Sequence, residues 1–463
     1  MKLYNTLTRT YEEVRGNEIK IYVCGVTTYD YSHIGHARSA VVFDTLRRYL
    51  EYKGFRVKFV QNFTDIDDKI VKRALDEKKS WREISEKFTN EYLEDVKKLN
   101  VKPADAYPKV SEHIKEIIDF IQDLIEKNYA YVLDGDVYFH VPIFKRYGEL
   151  SKMSLEELNK HRIEPDERKR DIKDFALWKK AKKEDYEVGA VFKSPWGDGR
   201  PGWHIECSTL SSHYLGVPFE IHGGGKDLIF PHHENERAQS YARFGFEPVK
   251  IWVHNDFVTV NGEKMSKSLG NIVRIRDVVE KFGGEALRYF LLSAHYRSAI
   301  DYSEKAMESA KKSYEKLKNT LLTLDMEIAY LKTFGDRECQ EKELNLEEFV
   351  KDFENAMDDD LNTRKAIAVL HNFANYINKI VFDLNVALLE RTLDCFLKLS
   401  SVLGFFEGYK RIPKLREDDA KKVIEREDAR RRKDFELADK IRKEFAEKGI
   451  KLLDTSKGTR WLV

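Results

Sequence analysis

Two strand-helix-strand units, set far apart along the chain, constrain this sequence more than any other feature. Residues Glu18 to Gly25 read as a buried strand, with Ile19, Ile21 and Val23 apolar and a glycine at the end. A helical pattern then runs from Ala37 to Lys53, placing Val41, Leu46 and Leu50 at helical spacings, and stops at Gly54, a natural C-cap. The strand Val57 to Phe63 completes the unit. The second unit comprises a strand Phe219 to Ile221, a helix from about His232 to Phe244 and a strand Val249 to Val253. Two such halves predict an α/β fold: a split, Rossmann-like, doubly wound parallel sheet that binds its ligand above the strand ends.

At 463 residues the chain is too long for one core, and two to four domains are expected. The layout read from the pattern is 1–104 for the first half of the sheet domain, 105–202 for a connective insertion and 203–256 for the second half. A lysine-rich loop region at 257–302, a helical bundle at 303–407 and a small terminal α/β unit at 408–463 follow. The insertion holds a helix near Val110 to Lys127, a short strand Val137 to His140 and a charged stretch, Glu164 to Lys173. Beyond Tyr302 the clearest helices are Glu347 to Met357, Thr363 to Ile380 and Val386 to Leu403, with a linker at Gly404 to Leu415. Charged helices from Glu417 to Lys448, a short strand Ile450 to Leu453, a turn through Gly458 and the segment Trp461 to Val463 end the chain.

Three motifs carry chemistry. His33-Ile34-Gly35-His36 lies between the first strand and its helix, where nitrogen donors meet an electropositive helix start and Gly35 lets a ligand approach the backbone, an arrangement suited to phosphate. Lys264-Met265-Ser266-Lys267-Ser268, flanked by Gly262 and Gly270, puts two ammonium groups on a glycine-hinged loop that can swing onto a polyphosphate. Each alone also reads as an ordinary surface turn; on one duplicated nucleotide fold they reinforce each other. The third set is Cys24, Cys207, His232 and Glu236. His232 and Glu236 are spaced i, i+4 on one helix face, and thiolate, imidazole and carboxylate are zinc donors. From spacing alone His233 could replace His232, and two buried structural cysteines are the alternative.

The paired histidine and lysine motifs resemble the signatures of class I aminoacyl-tRNA synthetases, and nearly the whole chain resembles the cysteinyl-tRNA synthetase family. The likeness runs through Tyr22 to Gly25, His33 to His36, Thr64 to Lys69, Pro201 to Ser208, His222 to Gly225, Pro231 to Glu236 and Lys264 to Ser268. The resemblance implies that Cys24, Cys207, His232 and Glu236 ligate one zinc ion per chain. It implies that His33, His36, Lys264 and Lys267 are catalytic. With Gly35, Gly224 and Asp227, the residues His33, His36 and Lys267 would bind ATP, accompanied by magnesium, while Cys24, Gly25, Thr64, Trp203 and His222 would line the amino-acid pocket. The implied reaction activates L-cysteine with ATP to cysteinyl-adenylate and passes it to the 2′-OH at the 3′ end of tRNA(Cys). The lysine-rich region would then contact the tRNA stem, and the terminal unit its anticodon.

Physical chemistry agrees with that implication. Cysteine and serine differ by one atom, and a steric pocket rejects the smaller serine only weakly. A thiophilic metal binds the thiolate and leaves a hydroxyl poorly held, so no proofreading module is needed. The net charge of only +1 requires local patches to hold tRNA. From Lys410 to Val463 there are 18 Lys and Arg against 12 Asp and Glu. Trp461 and Arg430-Arg431-Arg432-Lys433 are candidate RNA contacts, with a capping tryptophan and a solvated helix face as the alternatives.

Four scattered cysteines without a CxxC pair argue against a disulfide framework. The absence of both an apolar span of about 18 residues and a signal-peptide pattern predicts a cytoplasmic protein without a membrane partner. A monomer is expected. A competing function is an ATP-dependent cysteine:aminosugar ligase of the mycothiol type, which shares the catalytic motifs and is expected to lack a tRNA-reading C-terminal portion. A non-catalytic tRNA-binding or zinc-binding module is a third reading, against which stands the presence of both phosphate motifs.

Overall fold

The computed structural model describes residues 1–153, 168–266, 269–338, 344–455 and 457–463. Lys267 and Ser268 of the lysine motif, Cys339, and residues 164–167 of the charged stretch lie outside the described residues. The chain divides into two compact units, Met1–Met307 with Asp358–Asn362, and Glu308–Met357 with Thr363–Val463.

In the first unit, β1 (Glu18–Val23), α1 (Ile34–Tyr52) and β2 (Arg56–Gln61) form one half of the sheet. The other half is α2 (Trp203–Leu215), β3 (Phe219–Gly225), α3 (Glu234–Phe244) and β4 (Val249–Asn255). All pairings are parallel and the order is β4-β3-β1-β2. The chain leaves β1 toward one edge and β3 toward the other, so the central pair is the switch point where such sheets open a crevice. Register then aligns Tyr22, His222 and Trp252 across three strands. The His222 ring stacks on Trp252 at 4.7 Å and meets Tyr22 edge-on at 5.3 Å.

The insertion is richer in strand than its sequence suggests. Ala130–Leu133, Asp136–Phe139, Phe175–Lys180 and Gly199–Pro201 make a four-stranded antiparallel sheet. The first two are joined at Asp134 and Gly135, both at positive φ, the pair that a tight hairpin turn demands. The second half of the sheet domain differs too. Helix α3 begins at Glu234, and a π-helical turn over Ile229–His233, broken by extended Phe230, precedes it.

The second unit is helical, with Leu346–Asp358, Thr363–Ile380, Val386–Val402, Glu417–Arg431 and Phe435–Glu447, and it ends in the hairpin Lys451–Thr455 with Gly458–Leu462. Trp461 is 1% exposed within a core of Ala329, Val423, Ile441, Phe445 and Leu452, and its indole N–H donates to the Pro413 carbonyl at 3.0 Å. Burial assigns it to packing and removes it from any base-stacking surface. Trp461→Ala is expected to destabilise this unit by about 3–5 kcal/mol through the cavity it leaves, measured as a shifted denaturant midpoint. No helix among the described residues is long and apolar enough to cross a membrane.

Candidate active site

A cleft of about 770 Å³ opens at the switch point of the first unit. Its walls include Cys24, Gly25, His33, Gly35, His36, Trp203, Asp227 and Lys264. Thr64, His222, Gly224, Cys207, His232 and Glu236 do not line it. Gly224 packs instead against His233, whose ring a Cβ there would meet at 2.8 Å. Sequence reasoning missed Arg274 and Phe257 and gave no role to Lys69 and Gly225, all of which also line the cleft. Lys69 closes a motif already singled out, and its ammonium rests 5.4 Å from the Tyr29 ring centre.

The two signature histidines cap α1. His33 is the N-cap: its Nδ1 accepts from the Gly35 N–H at 3.1 Å, while His36 Nδ1 accepts from the His33 N–H at 3.3 Å. This reciprocal box satisfies orphan donors of the first turn. The rings stack with centroids 3.8 Å apart. With each Nδ1 accepting, the neutral tautomer of each ring carries its proton on Nε2. Burial, then the charges of His33 and Lys69, holds His36 well below the ordinary imidazole range, so it is a neutral donor. Gly35 has a second reason beyond ligand approach: a Cβ there would lie 2.9 Å from the His33 ring and displace it.

Cys24 belongs both to the cleft wall and to a buried donor cluster. Its N–H, just past β1, donates to the Gly223 carbonyl, and its Sγ lies 3.6 Å from Cys207 Sγ and 3.3 Å from Glu236 Oε1. His232 Nε2 lies 2.9 Å from the same Glu236 oxygen. The ligand atoms of Cys24, Cys207, His232 and Glu236 all lie within 4.8 Å of one another. A second group, Cys24, His222, His233 and Glu236, meets the same limit. Both cysteines are free thiols.

The charges within this cluster are tightly linked. Burial pushes the Glu236 carboxyl up, but the His222 and His232 imidazoles overcome it and hold the group well below the usual range. Burial likewise opposes the shift of His232, which Glu236 and Cys207 nevertheless raise to about 10. The Cys207 thiol, raised by burial, is brought down to about 6 by the Cys24 hydrogen bond and by His232. Glu236 and Cys207 are thus anionic, while His232 keeps its proton and burial, then Cys207, push the Cys24 thiol well up so that it keeps its own; a divalent cation that displaces these protons fits the place. The sulfur separation also fits: a tetrahedral zinc with Zn–S bonds of about 2.3 Å spans an S–S edge of ~3.8 Å.

Outer partners orient the donors. His204 is kept neutral by burial and by His232, and its Nδ1 lies 3.0 Å from His232 Nδ1, so it accepts there and leaves His232 Nε2 toward the cluster. His222 Nε2 bonds Glu236 Oε2 at 2.9 Å, and the Thr64 hydroxyl donates to buried Glu206 at 2.7 Å. Trp203, 36% exposed, stacks on His232 at 4.4 Å and carries the cluster's edge into the cleft.

Comparison with known proteins gives the family. The family model described as the tRNA synthetases class I (C) catalytic domain matches residues 10–312, and that of the DALR domain matches 352–407. A cysteine--tRNA ligase of Archaeoglobus fulgidus is 64% identical, covering 100% of this chain and 100% of that protein. The cysteine--tRNA ligase of Thermococcus onnurineus is 49% identical, covering 100% and 98%. Among solved structures, Mycobacterium tuberculosis methionyl-tRNA synthetase in complex with methionyl-adenylate shares the fold, with a TM-score of 0.60 at 15% identity over 84% of this chain and 90% of that one. With a catalytic-domain match across its sheet and insertion and 64% identity to a relative along its full length, the chain belongs to the cysteine--tRNA ligase family of class I tRNA synthetases.

Proposed function

We propose that this chain activates L-cysteine with ATP and magnesium and transfers it to the 3′ end of tRNA(Cys), with one zinc ion held by Cys24, Cys207, His232 and Glu236. The observation that carries the zinc reading is the double membership of Cys24, in the cleft wall and in the donor cluster at once. The two thiol donors favour this group over the one built on His222 and His233. Bound there, zinc supplies a thiophilic Lewis acid that distinguishes a thiolate from a hydroxyl.

The protein's own groups position and neutralise. The Nε2–H donors of His33 and His36 face phosphoryl oxygens as charge builds on them during attack of the cysteine carboxylate on the α-phosphate. Lys264, whose ammonium lies 4.7 Å from the Phe257 ring centre, and Lys267 receive the departing pyrophosphate. Asp227 and Gly225, which line the cleft, serve the nucleoside side, and Gly224 stands behind them against His233. Gly25, whose N–H is held by Asn62 Oδ1 at 2.9 Å, and Trp203 form the amino-acid wall, while Thr64 and His222 steady the carboxylates behind it.

The insertion at 105–202 serves as a lid or as an acceptor-side module, and the C-terminal unit reads the tRNA. There Arg432 and Lys433 are exposed, and Phe435, 62% exposed, stands two residues beyond them as an aromatic surface for a base. The protein acts as a cytoplasmic monomer.

The test is cysteine-dependent exchange of pyrophosphate into ATP, repeated with serine, followed by charging of bulk tRNA. Exchange with cysteine at least about a hundredfold above that with serine, and charging of tRNA, are expected. Exchange without charging favours the aminosugar ligase, and equal use of serine sinks the zinc selection.

A further inference from the structure

Behind Cys24 a file of buried side chains runs back to the amino-terminal segment. His233 Nε2 lies 3.3 Å from Cys24 Sγ, and His233 Nδ1 lies 2.7 Å from His254 Nε2. His254 Nδ1 in turn lies 2.7 Å from Thr6 Oγ1. His233, His254 and Thr6 are all buried. The far end of the file is fixed by backbone pairing with β4. The Thr6 N–H donates to the Trp252 carbonyl at 2.9 Å, and Asn5 Oδ1 accepts from the Trp252 and Leu7 N–H groups at 3.1 and 3.0 Å. The place of the Thr6 hydroxyl is therefore set by an edge strand and not by a flexible terminus.

Each link has room for one proton, and the sulfur decides the direction of all of them. A sulfur that ligates a metal carries no proton and only accepts. His233 then donates from Nε2, so its Nδ1 must accept from His254 Nε2–H. His254 Nδ1 must in turn accept from the Thr6 hydroxyl. The reverse order requires a donor at sulfur.

We propose that Thr6 and His254 are positioning residues of the metal centre, locking His233 as an N–H donor to the Cys24 sulfur and so setting how strongly that sulfur holds the metal. The inference rests on the zinc reading above and adds the three residues behind it. A ligand held by such an outer partner loses metal affinity when the partner is removed.

The experiment uses the full chain with bound metal. In Thr6→Val, which keeps the shape and removes the hydroxyl, the zinc dissociation constant from chelator competition is expected to rise about tenfold to a hundredfold. The sulfur-to-metal charge-transfer band of the cobalt-substituted protein is expected to move. Thr6→Ser, which restores the hydroxyl, is expected to return both to the parent values, a rescue that a loss of packing alone does not produce. A Thr6→Val protein with the parent's affinity and band overturns the proposal. Independently of any variant, nitrogen-15 spectra of histidine-labelled parent protein are expected to show His233 and His254 as Nε2–H tautomers. A proton on Nδ1 of either overturns it. A parent protein that binds neither zinc nor cobalt sinks the metal reading itself, and the inference with it. Stoichiometric metal with an unaltered Thr6→Val sinks the inference alone.

Discussion

Serine in place of Cys207 is expected to strip the bound metal and raise the KM for cysteine by about a hundredfold or more, with the KM for ATP near the parent value. Even outer-shell changes cost up to about a hundredfold in metal affinity, and this one removes a donor. Cys207 is 2% exposed, and its sulfur sits 3.6 Å from that of Cys24. A hydroxyl in that position is a hard donor that keeps its proton at neutral pH, so the substitution changes the chemistry at nearly constant volume. ATP contacts arise elsewhere, at the start of α1 and on the lysine loop, which is why the two KM values should separate. Metal content by atomic emission and exchange kinetics in cysteine check this. Unchanged metal content would remove Cys207 from the ligand set.

The second large effect is expected at His33, where two substitutions separate two roles. His33→Asn keeps a short acceptor at the N-cap, where asparagine is among the best residues, but loses the imidazole Nε2. The rate of cysteine-dependent exchange should fall about 10²–10³-fold, as when one preorganised donor is lost, with the melting temperature unchanged. His33→Ala loses the cap as well and should add about 1 kcal/mol of destabilisation. An exchange rate in His33→Asn equal to the parent's takes that ring out of the chemistry, whereas equal melting temperatures in all three proteins take it out of the cap.

Much of the site was legible because its signals are local. A buried strand ending at Gly25, a helix opening at the histidine motif and an i, i+4 pair at His232 and Glu236 are short-range patterns. Hydrophobic periodicity reports them without knowledge of the fold. The insertion's sheet was harder to read because its strands have only three to six residues, too short for alternation to stand out. One signal there went unused: Asp134-Gly135 between apolar runs is a hairpin turn. Trp461 offered either a cap or a stacking surface from sequence, and only the packing of the hairpin against Val423 and Phe445 chose the core. Phe435 drew no notice because an apolar residue opening a charged helix looks like one that will be buried, yet it faces solvent.

By itself the sequence determined the chemical inventory and the local frame: which donors exist, which strand or helix carries each, and the duplicated architecture that requires a crevice. Tertiary structure alone decided which donors meet and which ring nitrogen faces which partner. Thr6 and His254 stand 248 positions apart and touch because an amino-terminal segment zips onto an edge strand. His232 turns Nε2 toward Glu236 because its Nδ1–H donates to neutral His204. The physical reason is the range of the forces. Periodicity and capping act within a turn or two of chain, whereas a hydrogen-bond direction in a buried cluster depends on every partner that the folded backbone brings within about 3 Å, whatever their separation along the chain.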